Sequence, residues 1–566
     1  MHKIITRFFY LPFLSRISAQ KRFFILVLLL LFLTALGCTR GGVGFNPPST
    51  IAPQWKNDWS RGAIFYEVFV RSFKDSNGDG IGDLRGLISK LDYLNDGDIA
   101  STHDLGVDVI WLMPIFKSSS YHGYDTIDYR SINADYGTNQ DFALLLREAH
   151  RRGIRVIIDY VINHTGSAHP LFVNSASSPK AEKRNWYIWR ADDPGWTQPW
   201  DAEFSTWHPL HGAWFYGIFW AGMPDLNYQN AAVRKEMNSI ASYWLAQGVD
   251  GFRLDAARYL FEDGPGEGQA DTPETHAFWR DFSTNIRNEK PESVLVAENW
   301  ADTPIIATYF GSTTQVAGGD ELPMNFNFPL SAAILRGLQT QNALPIVSKL
   351  AEINQLYPPG VSDAPFLTNH DMVRLATQLQ NNSGRIRNAA GILLTLPGAP
   401  FLYYGEEVGL LNGPTAGDES KRTPMPWDGS TEGGFTSGTP WFPLAPGNSE
   451  TNIASQTSNP SSLLSHYRNL IYARKSSEAL STGSLVMLTT ASGNPPVLAF
   501  LRQTATETVL VAHNLSDDFV AAGPYSISAV TAERIYTDGD TLQPSVTSGQ
   551  WRITLPPHTC GIWRMQ

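Results

Sequence analysis

The sequence predicts a (β/α)8 barrel with an inserted domain after its third strand and a C-terminal antiparallel β-sandwich. Three observations predict it. From Arg61 onward, eight short β-branched and aromatic runs alternate with helical patterns. Charged and polar residues collect where those runs end, the edge at which such barrels carry their sites. From about Gly483 the helical periodicity gives way to short alternating runs separated by Gly, Asn, Asp and Ser.

Taken in order, the first 37 residues stand apart. Lys3, Arg7, Arg16, Lys21 and Arg22 precede the apolar run 23–36, and no acidic residue interrupts them. That is the composition of an export signal. The run is shorter than the roughly 20 residues a spanning helix needs, and it ends at Leu36-Gly37-Cys38. This ending resembles a bacterial lipobox, which implies lipidation of Cys38 and an exported protein anchored to the cell membrane through lipid alone. An uncleaved anchor and an ordinary signal peptide are the alternatives. Residues 39–53 are rich in Gly, Pro and Ser, and 38–60 read as a tether.

The whole chain has 43 basic and 54 acidic residues. Without the five basic residues of the leader, 38 stand against 54, a net charge of −16. Nucleic acid and anionic membrane surfaces are therefore excluded as expected partners. Cys38 and Cys560 are the only cysteines, so no disulfide framework is possible within one chain, and Cys560 reads as a small buried residue.

The barrel strands are expected at 63–70, 107–114, 154–160, 249–255, 294–298, 322–326, 364–369 and 399–404, with helices such as 140–152 and 231–247 between them. The barrel domain spans 61–482 and the sandwich 483–566. Residues 165–225 are too many for a plain loop and read as the inserted domain. They hold seven of the 17 Trp, between Trp186 and Trp220. Flat apolar rings suit pyranose faces, although most Trp serve packing. Runs at 497–502, 508–514 and 551–555 are expected strands of the sandwich.

The polar ends are specific. Asp159, Asn163 and His164 follow the third run, Asp255 the fourth, Glu298 the fifth, and His370 and Asp371 the seventh. In Gly251-Phe252-Arg253-Leu254-Asp255, Arg253 and Asp255 lie two apart and share a strand face. A guanidinium there can hold the carboxylate ionised and aimed, as a nucleophile requires. A structural ion pair accounts for this stretch alone equally well. Separately, Asp75-Ser76-Asn77-Gly78-Asp79-Gly80-Ile81-Gly82-Asp83 sets oxygen donors at alternate positions. The side chains of Asp75, Asn77, Asp79 and Asp83 with the carbonyl of Ile81 suit Ca2+. The loop is not an EF-hand, because its twelfth position is Gly86. An acidic, Gly-rich surface turn is the alternative.

Four stretches, taken together, resemble the signature regions of the α-amylase family of glycoside hydrolases (family 13) in order and spacing. They are Asp159 to His164, Gly251 to Asp255, Glu298-Asn299-Trp300, and Phe366 to Asp371. The resemblance runs from about Arg61 to the C-terminus. It implies that Asp255 is the nucleophile, Glu298 the general acid/base and Asp371 the carboxylate that stabilises the transition state. It further implies that His122, His164 and His370 bond sugar hydroxyls and that Tyr124, in Tyr121-His122-Gly123-Tyr124-Asp125, stacks under the ring at the cleavage subsite. Arg253, Asp125, Asp418 and Arg422 complete the implied substrate-binding set.

Met223-Pro224-Asp225-Leu226-Asn227 resembles an intermediary subfamily between oligo-1,6-glucosidases and neopullulanases or cyclomaltodextrinases. Members that prefer α-1,6 bonds tend to carry Val after the nucleophile, whereas this chain carries Ala256. The expectation is therefore an endo-acting, retaining α-1,4-glucan hydrolase, an α-amylase, on starch, malto-oligosaccharides or cyclodextrins. The alternatives are an oligo-1,6-glucosidase or α-glucosidase, a cyclomaltodextrinase or neopullulanase, a transglycosylase, and a non-catalytic glucan-binding protein. Tyr259 stands where many members place a calcium-binding His, which leaves the Asp75 loop as the expected calcium site. No β domain of the kind that dimerises neopullulanases precedes the barrel in the sequence, and a monomer is expected.

Overall fold

The computed structural model describes residues 52–488, 496–539 and 543–566. The leader and Cys38 lie outside the described residues. Among the described residues no helix is long and apolar enough to cross a membrane.

Eight parallel strands form one sheet: β1 (Phe65–Val68), β2 (Val109–Leu112), β3 (Arg155–Tyr160), β4 (Gly251–Leu254), β5 (Val294–Ala297), β6 (Met324–Phe326), β7 (Ser362–Ala364) and β8 (Phe401–Tyr403). The sheet runs from β7 back to β1 and on to β8, and the parallel bridge between Phe366 and Phe401 closes it into a barrel. The expected seventh strand, 364–369, is short and early. Pro365 has no N–H to give the ladder, so regular pairing ends at Ala364 while the Pro365 carbonyl still accepts from Phe401.

Residues that alternate along a strand face opposite sides, and here they divide two cores. Phe65, Val109, Trp111, Ile157, Val294 and Val296 pack inside the barrel, while Tyr66, Ile110, Ile158, Phe252 and Leu295 pack outward under the helices. Following the inward positions toward the C-terminal ends leads from apolar to charged. Phe65 is followed by Glu67, Ile157 by Asp159, Gly251 by Arg253 and Asp255, and Val296 by Glu298. Register sets these groups side by side, with Glu67 opposite Trp111 and Asp159 opposite Arg253.

The helices between strands carry their own end signals. Asn139–Arg151 starts in a capping box of Thr138 with Asp141. Ala231–Gln247 starts at Asn230 and stops at Gly248, whose φ of 108° a side chain would resist. Between β3 and β4 the chain forms the helix Pro170–Ser177 and a three-stranded antiparallel sheet of Trp189–Arg190, Ala213–Tyr216 and Trp207–Leu210. Trp207 packs that sheet's core, while Trp200 and Trp220 stay half exposed, at 49% and 53%.

The C-terminal region is a sandwich of a five-stranded and a three-stranded antiparallel sheet. Leu510, Ala512 and Trp563 of the first meet Tyr525, Trp551 and Ile553 of the second. The other face of the larger sheet, with Phe500, Val511 and Ile562, joins the core under the barrel helices. Cys560 is fully buried there.

Candidate active site

Three inward strand ends deliver one charge cluster. The Arg253 guanidinium is 1% exposed and bonds three carboxylates. Nη1 donates to Asp159 at 2.9 Å and to Asp255 at 2.6 Å, and Nη2 lies 3.0 Å from Glu298. Glu298 also accepts the Ala256 amide at 3.0 Å. Ala256 has a φ of 51°, so the chain turns sharply after Asp255 and aims its own N–H at the neighbouring carboxylate.

A second cluster faces the first. Asp371 accepts from Arg422 Nη2 at 2.9 Å and lies 3.1 Å from His370 Nε2. The other His370 nitrogen is 2.6 Å from Glu67. Tyr124 joins the two clusters. Its hydroxyl donates to Asp159 at 3.1 Å and lies 2.6 Å from His370 Nε2, and its ring stacks on the imidazole at 5.6 Å and 15°.

The electrostatics separate the carboxyl groups. Burial opposes charge on His370, but Asp371 and Glu67 outweigh it and raise its pKa to about 10, so the ring is an imidazolium. Burial also opposes charge on Asp371, yet His370, Arg422 and Arg253 hold its carboxyl well below the usual range. Glu298 goes the other way. Burial, with Asp255 and Asp371 nearby, raises it to about 7 against the pull of Arg253. Burial also raises Asp159 to about 7, and raises Asp255 while the direct bond to Arg253 opposes the rise. One guanidinium cannot compensate three carboxylates, so a proton is retained among them at neutral pH. Asp is intrinsically the more acidic side chain and Asp255 has the shorter Arg253 contact, which leaves Glu298 as the holder of the proton within the Asp255–Glu298 pair.

The other expected residues are placed as follows. His122 accepts the Tyr124 amide on Nδ1 at 3.2 Å, and burial lowers its pKa to about 4, so it is neutral. His164 is buried with Nε2 3.2 Å from the Tyr124 carbonyl and Nδ1 3.0 Å from Asn163, which makes it a support for the backbone at Tyr124. Asp125 is held by the hydroxyls and amides of Ser119 and Ser120. Asp418 is half exposed, bonded to Lys421 at 2.8 Å and 3.7 Å from Arg422.

A cleft of about 970 Å3 reaches these carboxylates. Glu298, Asp371 and Ala256 line it together with Trp200, Phe219, Tyr259, Arg258, Asp271 and Trp300. Trp300 rests one face on Phe328 at 4.5 Å and 13° and remains 49% exposed. Such rings form an apolar platform of the kind that takes a flat sugar face.

The Asp75 loop is closed on itself. Asp75 accepts the amides of Asn77, Gly78 and Gly80 and the Thr436 hydroxyl, Asn77 accepts Asp79 N, and Asp79 accepts Ile81 N. Burial would raise the Asp75 pKa, but these hydrogen bonds lower it, so the carboxylate is ionised. The donor set is all oxygen and suits a hard cation. Among the described residues, however, no group of three or more His, Cys, Asp or Glu is gathered to hold a metal.

The chain matches the model of the α-amylase catalytic domain over residues 67–483. It is 38% identical to alpha-amylase 3 of Dictyoglomus thermophilum over 478 residues, covering 84% of this chain and 86% of that one. It is 36% identical over 514 residues to a trehalose synthase/amylase of Mycolicibacterium smegmatis, covering 81% and 84%. Its fold superposes on the crystal structure of an α-amylase from H. orenii with a TM-score of 0.80 at 38% identity, covering 89% of this chain and all of that one. The chain belongs to the α-amylase family of glycoside hydrolases.

Within this α-amylase-family site, the sequence reading placed Asp159 at the end of the third run without giving it a role there, and left out Glu67. Each is a lone acid on an inward position of an otherwise apolar buried strand, and that was the available signal. It also left out Arg258, which bonds Asp271 at 2.9 Å and the Trp300 carbonyl at 2.7 Å and so fixes one wall of the cleft. No local pattern announces that contact, because Asp271 reaches it through a loop.

Proposed function

We propose that this family member is an α-amylase: an endo-acting, retaining hydrolase of α-1,4-glucosidic bonds in starch and malto-oligosaccharides. The observation that carries the reading is the shared Arg253 guanidinium, which brings Asp255 and Glu298 within reach of one group, with Asp255 in the shorter contact and Glu298, raised to about 7 by burial, as the proton carrier of the pair. A retaining glycosidase needs two carboxyl groups about 5–5.5 Å apart, one ionised and one protonated.

In this reading Asp255 attacks the anomeric carbon while Glu298 gives its proton to the leaving glycosidic oxygen, forming a glycosyl ester on Asp255. Glu298, now a carboxylate, takes a proton from water, whose oxygen attacks the same carbon and frees Asp255. Asp371, kept ionised by His370 and Arg422, supplies negative charge where the oxocarbenium ion develops. Tyr124, seated on His370, is the ring under the sugar at the cleavage subsite. The small Ala256 next to the nucleophile, in place of Val, supports α-1,4 over α-1,6 preference. Incubation with soluble starch, maltotriose and isomaltose tests the reading: mixed oligosaccharides from starch support it, and glucose from isomaltose with little attack on starch overturns it.

The cleft rings at Trp200 and Trp300 favour a second reading, in which a sugar rather than water captures the glycosyl ester. The trehalose synthase/amylase relative supports it. Trehalose formed from maltose would establish it. We also propose Ca2+ as a ligand of the Asp75 loop, supported by its oxygen donors, and lipidation at Cys38, supported by the leader sequence.

A further inference from the structure

Arg422 aims Asp371, and its own position is fixed from behind. Its Nη1 donates to the Tyr121 hydroxyl at 3.1 Å, and its carbonyl accepts from Ser72 Oγ at 2.5 Å. Both partners meet one side chain. The Trp441 ring stacks on Tyr121 at 5.4 Å and 26°, and Trp441 Nε1 donates to Ser72 Oγ at 3.1 Å. Phe69 packs edge-on against both rings, and Arg71 covers the indole at 5.1 Å.

The segment that carries Trp441 is seated on the Asp75 loop. Trp441 N donates to the Gly80 carbonyl at 2.9 Å, Asp75 N to the Phe435 carbonyl at 3.0 Å, and Thr436 Oγ1 to Asp75 at 2.5 Å. The approach is at backbone distance. A Cβ at Gly80 would collide with the Thr439 carbonyl oxygen, and Gly80 has a φ of 90°.

We propose that Trp441 is a positioning residue that braces Arg422, and through it Asp371, from two sides, and that the Asp75 loop sets where Trp441 stands. The inference rests on the reading of Asp371 as the carboxylate that acts in the transition state. Its consequence is kinetic. Loosening the brace weakens an interaction used at the transition state, so kcat falls more than KM rises.

The test compares Trp441→Ala, Trp441→Phe, Tyr121→Phe, Thr436→Val and Asp371→Asn in the full chain, with kcat and KM on maltoheptaose measured well below each melting temperature. Trp441→Ala is expected to lose about ten- to a hundredfold in kcat, and Tyr121→Phe, which removes one hydroxyl, about three- to tenfold. Trp441→Phe, which keeps a ring on Tyr121, returns to within about threefold of the wild type. A purely structural Trp441 would lower the melting temperature and leave kcat per folded molecule unchanged. Wild-type kcat in both Trp441→Ala and Tyr121→Phe, with Asp371→Asn inactive, overturns the proposal; if Trp441→Ala does not fold, Tyr121→Phe decides alone. Wild-type kinetics in Thr436→Val overturns the part assigned to the loop. An active Asp371→Asn overturns the reading of the site instead.

Discussion

Asp255, Glu298 and Arg253 carry the residue-scale predictions. Asp255→Asn keeps the shape and removes the proposed nucleophile, so kcat on starch should fall on the order of 10^4-fold with the thermal melt retained. Glu298 must be protonated to act as the proposed general acid. Burial raises its pKa to about 7, so it keeps its proton well above the ordinary carboxyl range and loses it as pH rises through that value. The alkaline limb of kcat/KM should therefore fall near pH 7, and Glu298→Gln should abolish that limb together with most activity on unactivated substrates. Arg253→Met would leave Asp159, Asp255 and Glu298 buried without their cation, and urea unfolding should show a loss of about 3–5 kcal/mol.

Elements explain how much of this was legible. Strands such as β1, β2 and β5 announce themselves because each is buried on both faces and reads as a short, mostly apolar run. The site announces itself because single charges interrupt that pattern on inward positions. The seventh strand was misplaced by a few residues because apolarity continues past Pro365, whereas the regular ladder ends at Ala364 and only an isolated bridge at Phe366 follows. Loop contacts were not legible: Arg258 with Asp271, and Trp441 with Tyr121, join residues 13 and 320 positions apart with no periodicity to reveal them. The Asp75 loop belongs to this scale too. With Ca2+ bound there, chelation should lower the melting temperature of the wild type and leave Asp75→Ala unmoved, whereas equal shifts would reject the loop as the site.

For the whole molecule, the sandwich is part of the barrel's cover. Asn388 donates to the Asn514 carbonyl at 2.6 Å, Arg387 pairs with Asp538 at 2.7 Å, and Phe500 and Ile562 complete an apolar layer over the helix Ser383–Thr395. Removing residues 483–566 should expose that layer and give aggregated protein without a cooperative melt. At the other end, Cys38→Ser should release the protein from membranes if a lipid on Cys38 is the anchor; unchanged retention would point to an uncleaved leader. The central claim is double displacement on α-1,4-glucan by Asp255 and Glu298, and the most direct measurement is proton NMR of the first products released from soluble starch. The α-anomers of mixed oligosaccharides should appear first and mutarotate later. Initial β-anomers, or no products from starch, would contradict the claim.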